Sequence, residues 1–239
     1  MLAPFETHEV LNQSPPLEDY NLYAGNIALR EGVRREGAKW ADRSLSAFGE
    51  LLGKAETMEL GHLANRHTPI LKTYDMKGRR RDEVEFHPAW HRLMAIGCAQ
   101  GLHSGPWADP RPGAQLARAA AFMLFAEVEQ GALCPLTMTF GSVPALRRFP
   151  QVAGPFLDRI LKPNYDPRFR PIAEKTGALI GMGMTEKQGG SDVRTNTTRA
   201  EPAGDGAYAI TGHKWFFSAP MCDGFLVLAQ TPDGLGCFL

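Results

Sequence analysis

The sequence carries no surplus of either charge. Its 26 Lys plus Arg residues match 26 Asp plus Glu across 239 residues, so the formal charge is zero. Strong nucleic-acid binding needs a basic surplus or patch to neutralise phosphates, and the composition argues against that class for this stretch. The one basic run, Lys77-Gly78-Arg79-Arg80-Arg81, is followed at once by Asp82-Glu83-Val84-Glu85 and reads as a solvated, self-neutralised turn. Cysteine is scarce. Cys98, Cys134, Cys222 and Cys237 show no CxxC spacing and no histidine at ligand distance. That predicts a reduced cytosolic chain with small buried thiols and no metal site.

Long apolar runs are absent too. No stretch approaches the length of a membrane span, and no membrane partner is expected. The opening residues, MLAPFETHEVLNQSPPL, lack a basic region followed by an apolar one, so no signal peptide is expected. The G-x-G-x-x-G dinucleotide fingerprint and the Gly-Lys-Ser/Thr of a Walker loop are missing, as are internal repeats and low-complexity segments. With 44% hydrophobic and 22% charged residues, the chain has the composition of an ordinary soluble, cytoplasmic protein. Its length suffices for one large domain or two smaller ones with a real core.

Two textures divide the chain. From about Asn21 to Gln130 the period is helical. In AQLARAAAFMLFAEVEQG, Leu116, Ala119, Ala120, Met123, Leu124 and Val128 share one face, and Gly131 stands where a left-handed cap belongs. Segments 44–64 and 87–103 read the same way. From about Leu179 aromatic and β-branched residues take over, with turn signals at Gly204-Asp205-Gly206 and Pro232-Asp233-Gly234. Residues 208–219 read as a strand. Phe225 to Gln230 reads as the first arm of a hairpin that returns from Leu235. A strand that has barely begun at Leu239 suggests a piece of something longer. The fold class predicted is α+β: an N-terminal all-helical domain over 1–178, then the start of an antiparallel β-domain over 179–239.

Between the textures lies GMGMTEKQGGSDVRTNTTRA, residues 181–200. Gly189 and Gly190 remove side-chain bulk while Thr185 and Ser191 offer hydroxyls, a composition that lets backbone amides approach an anionic or carbonyl-rich ligand. A polar turn capped by Ser191 or Asp192 fits the same residues. Further on, GHKWFFSAP (212–220) sets aromatics beside a serine, which suits a planar heterocycle or, equally, a strand with Phe216 or Phe217 in the core.

Taken together, MTEKQGGSD, GHKWFFS and LVLAQT resemble the flavin-binding signature of the acyl-CoA dehydrogenase family. Met58 to Asn65, Tyr74 to His91 and Gly131 to Phe140 extend the resemblance over nearly the whole chain and point to its AidB-like branch, flavoproteins of the bacterial response to DNA alkylation. The resemblance implies FAD as cofactor, an acyl-CoA-like substrate undergoing α,β-dehydrogenation, and a homo-oligomer. Met182, Met184 and Thr185 would then meet the flavin ring, Met184 through its backbone, and Ser191 would hold the pyrophosphate with Gly190 giving access. Phe216 takes the place of the ring-packing aromatic with Phe217 beside it. Ser218 replaces the hydroxyl residue near flavin N5. Segment 133–140 would flank the substrate. Family members carry a C-terminal helical domain that holds the catalytic glutamate and, in this branch, the DNA contacts. Its absence here implies half a flavin site and no catalytic base, with Glu186 serving the hydrogen-bond network of its loop. A DNA-protecting flavoprotein with vestigial dehydrogenase activity and a non-catalytic scaffold are the alternatives.

Overall fold

Asparagine starts the first two helices. In the computed structural model, which describes residue 5 and residues 7–239, Asn21 Oδ1 accepts the N–H groups of Tyr23 and Ala24 at the head of α1 (Leu22–Gly25). Asn26 does the same for Leu29 at the head of α2 (Ile27–Arg35). Both satisfy donors that a helix leaves open at its first turn. The expectation of no signal peptide falls partly on residues 1–4 and 6, outside the described ones. Next come α3 (Asp42–Leu52) and α4 (Ala55–Arg66). Buried Leu45, Phe48 and Leu52 recur at helical spacing on α3 and form its core face.

An antiparallel hairpin, β1 (Ile70–Tyr74) with β2 (Arg80–Glu85), interrupts the part expected to be wholly helical. Its turn holds because Asp75 Oδ1 accepts the N–H groups of both Lys77 and Arg79. The basic run lies in this turn and on β2. Arg79 pairs with Asp75 at 2.8 Å, Arg80 with Asp82 and Arg81 with Glu83. The arginines are neutralised locally, as their spacing predicts.

His87, with its Nδ1 accepting from Ala89 N–H and Pro88 in the first turn, begins α5 (Pro88–Ala99). A short α6 (Gly105–Ala108) leads to α7 (Ala114–Ala126). The core face of α7 is rotated from the expected one. Ala120, Ala121, Leu124 and Phe125 are buried, whereas Ala119 and Met123 are exposed. Alanines on several sides give the helix little intrinsic polarity. The Phe125 ring, stacked on Phe48 with centroids 6.5 Å apart, sets its orientation. Gly131 is not left-handed. The break between α7 and α8 (Leu133–Leu146) is held instead by Glu129, whose carboxylate accepts Gly131 N–H and Ala132 N–H. α9 (Pro150–Ile160) closes the helical part.

The sheet comprises β3 (Ile180–Gly183), β4 (Arg199–Gly204), β5 (Ala207–Thr211), β6 (Gly224–Thr231) and β7 (Gly234–Phe238). The β4–β5 and β6–β7 hairpins are antiparallel, the latter pairing Thr231 with Gly234 across Pro232-Asp233. The sheet as a whole is mixed rather than antiparallel, because β3 and β4 both run parallel to β6. Val227 pairs with Gly183 and Phe238, and Gln230 with Arg199 and Leu235, so β3 and β4 occupy successive stretches of one edge of β6. Residues 212–219, expected as a strand, are irregular. Phe216 (φ 52°) and Ala219 (φ 55°) are left-handed, which ends any extended run.

Two apolar clusters fill the interior. The larger runs through the helices and takes in Leu179 and Cys222. The smaller joins Val143, Leu146, Ala153 and Ile160 to Ile180 and Leu226. Polar ties reinforce this joint between helices and sheet. Thr139 Oγ1 on α8 accepts Ile180 N–H at 3.0 Å and donates to Pro135 O at 2.8 Å. Buried Lys175 pairs with Asp223, whose second oxygen accepts Leu179 N–H at 2.9 Å. Cys98 and Cys222 are buried, the first with its thiol pushed up to about 12 by burial, whereas Cys134 and Cys237 are exposed, contrary to the expectation that all would be buried. No helix among the described residues is long and apolar enough to cross a membrane.

Removing the Asp223 carboxylate strands the Lys175 ammonium in the interior. Asp223→Ala is expected to lower unfolding free energy by about 3–5 kcal/mol in urea titrations. The double replacement Lys175→Met/Asp223→Leu should recover much of that loss.

Candidate functional site

A single buried carboxylate organises the loop after β3. Glu186 is 1% exposed. Its Oε1 accepts Thr198 N–H at 2.9 Å, Thr198 Oγ1 at 2.6 Å and Lys214 Nζ at 3.1 Å. Its Oε2 accepts Thr197 N–H at 2.8 Å, Thr197 Oγ1 at 2.9 Å and the Gln188 amide. Burial alone would raise its pKa. The donors from Thr197, Thr198 and Gln188 outweigh that and hold the group far below the usual carboxylate range. A general base needs a free lone pair and a pKa near the working pH; Glu186 has neither, and its role is the structural one expected from the resemblance.

Around this anchor the chain doubles back. Glu186 and Gly189 exchange backbone hydrogen bonds across a tight turn at 3.0 and 3.2 Å. Asn196 Nδ2 donates to Met184 O at 2.9 Å, and Trp215 N–H donates to Thr185 O at 2.9 Å. Gln230 of β6 donates through Nε2 to Arg194 O and Asn196 O, tying the far end of the loop to the sheet.

The candidate site residues fall into three groups. Met182 lies on β3 beneath α8, its Cε 3.6 Å from where a side chain at Gly141 would begin, and Met184 follows at the strand end. Thr185 packs beside Gly190, where a Cβ would lie 2.8 Å from Thr185 Cγ2. A side chain there would displace the Thr185 side chain, and Ser191 follows on the exposed turn. Phe217 lies over Gly183, where a Cβ would come within 2.7 Å of its ring, and packs tilted against Phe225 with centroids 4.6 Å apart. Phe216 is 79% exposed and meets Trp215 edge-on, so neither phenylalanine is a core strand residue.

Ser218 faces a different space, a cleft of about 420 Å³ between the irregular segment 218–221 and the helices that is lined also by Phe86, Trp90, Cys134, Pro135 and Met221. This places the start of α8 at the cleft. Glu129 lines it too, but both its oxygens hold backbone N–H groups.

The hydroxyls of Thr139, Thr195, Thr197 and Thr198 are all engaged within the protein. Those of Thr185, Ser191 and Ser218 have no protein partner among the described residues. Thr195, Thr197 and Thr198 build the loop, Thr139 ties α8 to β3, and the second set is left unpaired by the fold. A flavin dinucleotide fits this arrangement: apolar and aromatic surface for a ring, hydroxyls for its heteroatoms, and a glycine turn for phosphate. Among the described residues no group of three or more His, Cys, Asp or Glu is placed to hold a metal ion. Asn196, Thr197, Thr198 and Lys214, which fix the loop, were not singled out from the sequence. The only local signal is that a glutamate followed eleven residues later by paired threonines can fold back onto their hydroxyls and amides.

Residues 12–167 match the family described as adaptive response protein AidB N-terminal domain, and residues 181–239 match the acyl-CoA dehydrogenase middle domain. The chain is 53% identical over 238 residues to the putative acyl-CoA dehydrogenase AidB of Escherichia coli, covering 98% of this chain and 44% of that protein. It is 30% identical over 195 residues to acyl-CoA dehydrogenase family member 11 of Caenorhabditis elegans, covering 80% of this chain and 31% of that protein. The crystal structure of C. elegans ACDH-11 in complex with C11-CoA superposes with a TM-score of 0.80 at 26% identity, over 98% of this chain and 40% of that one. The chain thus spans less than half the length of these relatives.

Glu186→Gln removes the charge opposite buried Lys214 and is expected to destabilise the fold by about 3 kcal/mol near neutral pH. The folded carboxyl titrates well below its ordinary value of 4.5, so its contribution is full above about pH 5 and is lost as pH falls. In denaturant titrations at several pH values, the gap between wild type and Glu186→Gln should therefore narrow steadily below about pH 5.

Proposed function

Since the chain belongs to the acyl-CoA dehydrogenase family, in its AidB-like branch, we propose that it supplies the N-terminal, flavin-holding part of an FAD-dependent protein that α,β-dehydrogenates an acyl-CoA thioester. The observation that carries this reading is the contrast between engaged and open hydroxyls around a loop locked by Glu186. Thr185 and Ser218 donate to heteroatoms of the ring, and Met184 meets it through its backbone. Ser191 takes a pyrophosphate oxygen, and Gly190 lets the phosphate approach the turn. Phe216 offers apolar surface to the ring and Phe217 supports it from its seat on Phe225 and Gly183, while Met182, turned toward α8 on the other face of β3, steadies the strand rather than the ring.

FAD held by Thr185, Ser191 and Ser218 would supply a hydride acceptor for the acyl β-carbon. The cleft beside Ser218 receives the acyl group: Phe86, Trp90, Pro135 and Met221 give it an apolar wall that excludes water from the reacting carbons. The α-proton must go to a carboxylate. Glu186 is saturated by donors and Glu129 is held by a backbone N–H on each oxygen at the head of α8, so we assign the base to a part of the whole protein outside this chain. The likeness to the AidB adaptive response protein N-terminal domain supports a role in an adaptive response, and the proposal extends this to DNA alkylation and to a homo-oligomer.

In the full-length protein, Thr185→Val, Ser191→Ala and Ser218→Ala should each weaken FAD retention about tenfold, the loss of one hydrogen bond of roughly 1–1.5 kcal/mol. Because these hydroxyls have no protein partner, the urea midpoint of the apoprotein should stay unchanged. Flavin absorbance after dialysis reads the first effect. Unaltered flavin content in all three variants would overturn the site assignment.

A further inference from the structure

The wall of the cleft beside Ser218 continues into an aromatic cluster that the proposed chemistry does not use. Trp90 and His91, consecutive on α5, both meet Tyr165, which lies in the segment between α9 and β3. Trp90 lines the cleft and is 8% exposed, with the Phe86 ring stacked on it at 4.1 Å between centroids. The Tyr165 ring lies edge-on to the Trp90 indole at 6.5 Å and stacks on the His91 ring at 6.0 Å. Among the described residues no other tryptophan has a tyrosine ring against it.

One hydrogen bond gives the cluster a chemical direction. Tyr165 Oη and His91 Nδ1 are 2.7 Å apart, and the hydroxyl has no other partner among the described residues. The phenol is the stronger acid of the two groups, so it donates and Nδ1 accepts. Burial lowers the His91 pKa, which keeps the ring neutral and its lone pair available. Burial raises that of Tyr165, and Asp223 and Asp166 nearby raise it further. Such a phenol does not ionise alone. It gives up its proton together with an electron, to the base already bonded to it.

We infer that Trp90, Tyr165 and His91 form a relay that carries oxidising equivalents out of the cleft, its input a one-electron oxidant of the radical class. The oxidant takes one electron from the Trp90 indole. Tyr165 returns an electron to the indole radical cation and passes its hydroxyl proton to His91 Nδ1. Trp90 is thereby restored, leaving a neutral tyrosyl radical and an imidazolium. A diffusible reductant such as ascorbate then supplies one electron, and His91 gives the proton back to the phenol. Burial raises the pKa of the neighbouring Cys98 and Cys222 and keeps both as thiols, poorer electron donors than thiolates, so the radical stays on Tyr165. The relay acts whether or not the cleft holds a flavin, and a cleft that hosts redox chemistry is where such an exit protects most.

Azide radicals, which oxidise indole in preference to phenol, are the probe, generated by radiolysis in solutions of the full-length protein. Freeze-quenched samples are read by electron spin resonance, and the final products are mapped by mass spectrometry. Wild type is expected to show a tyrosyl signal, oxidation products at Tyr165 and little conversion of Trp90 to kynurenine. Tyr165→Phe keeps the ring and removes the hydroxyl. It should diminish the tyrosyl signal and raise kynurenine at Trp90 several-fold, with Trp40 and Trp107 at their wild-type levels. His91→Leu removes the proton acceptor and should shift oxidation from Tyr165 back to Trp90 in the same way. Absence of a tyrosyl signal in wild type, a signal undiminished in Tyr165→Phe, or Trp90 oxidised equally in wild type and in whichever variant folds would each overturn the proposal.

Discussion

The Glu186 carboxylate is the constraint on which the ligand-facing part of this protein depends. An ionised group sealed from water is tolerated only when its lone pairs are met. Here they are met, apart from the Gln188 amide, by residues 11 to 28 positions further along the chain, from Thr197 to Lys214. To satisfy one buried charge, the loop must return on itself and the segment before Phe216 must come alongside. The positions of Thr185, Gly190 and Trp215 follow from that closure, since none of them lies in a helix or a strand. Electrostatics performs here the positioning that ladders of backbone hydrogen bonds perform elsewhere.

Where the loop meets the body of the protein, glycine and threonine share the task. Gly181 and Gly183 point to the same side of β3, and rings fill the space their missing side chains leave: Phe225 over the first, Phe217 over the second. On the other side Met182 turns toward α8, and Thr139 reaches from that helix to the strand backbone. The strand end is thereby fixed from both faces. An aromatic shelf on one face and a methionine on the other leave little freedom for the residues that follow.

Much of this was legible in the sequence. Helical spacing marked α3 and α5, Pro232-Asp233 marked the terminal hairpin, and the alternation of arginines with acids marked a locally neutral segment. Three features escaped. The β1–β2 hairpin pairs a mostly charged strand, β2, with a short one, β1, that leaves Ile70, Leu71 and Tyr74 exposed, so neither shows a buried apolar alternation. The face of α7 is ambiguous because alanine fits a core and a surface equally well, and a contact between Phe125 and Phe48, far apart in sequence, decided it. The aromatic run at 215–217 has strong strand propensity, yet the hydrogen bond from Trp215 to Thr185 and the left-handed Phe216 override it. For the candidate site, the motif named candidate residues on and around the loop after β3. It did not disclose which hydroxyls are structural and which are open, because that depends on partners brought in by the fold.

The arrangement of β3 and β4 along one edge of β6 has a consequence for how the molecule tolerates change. Val227 marks where β3 ends and Gln230 where β4 begins, three steps along a strand, or about 10 Å. Residues 184–198 must leave and re-enter the sheet across that gap. Both gateposts are fixed, so an inserted residue cannot be taken up by sliding either strand. It can only push outward, into the volume where a ligand would lie. The segment behaves as a ruler whose length is set by the sheet beneath it. Its outer curve can vary in composition long before it can vary in length.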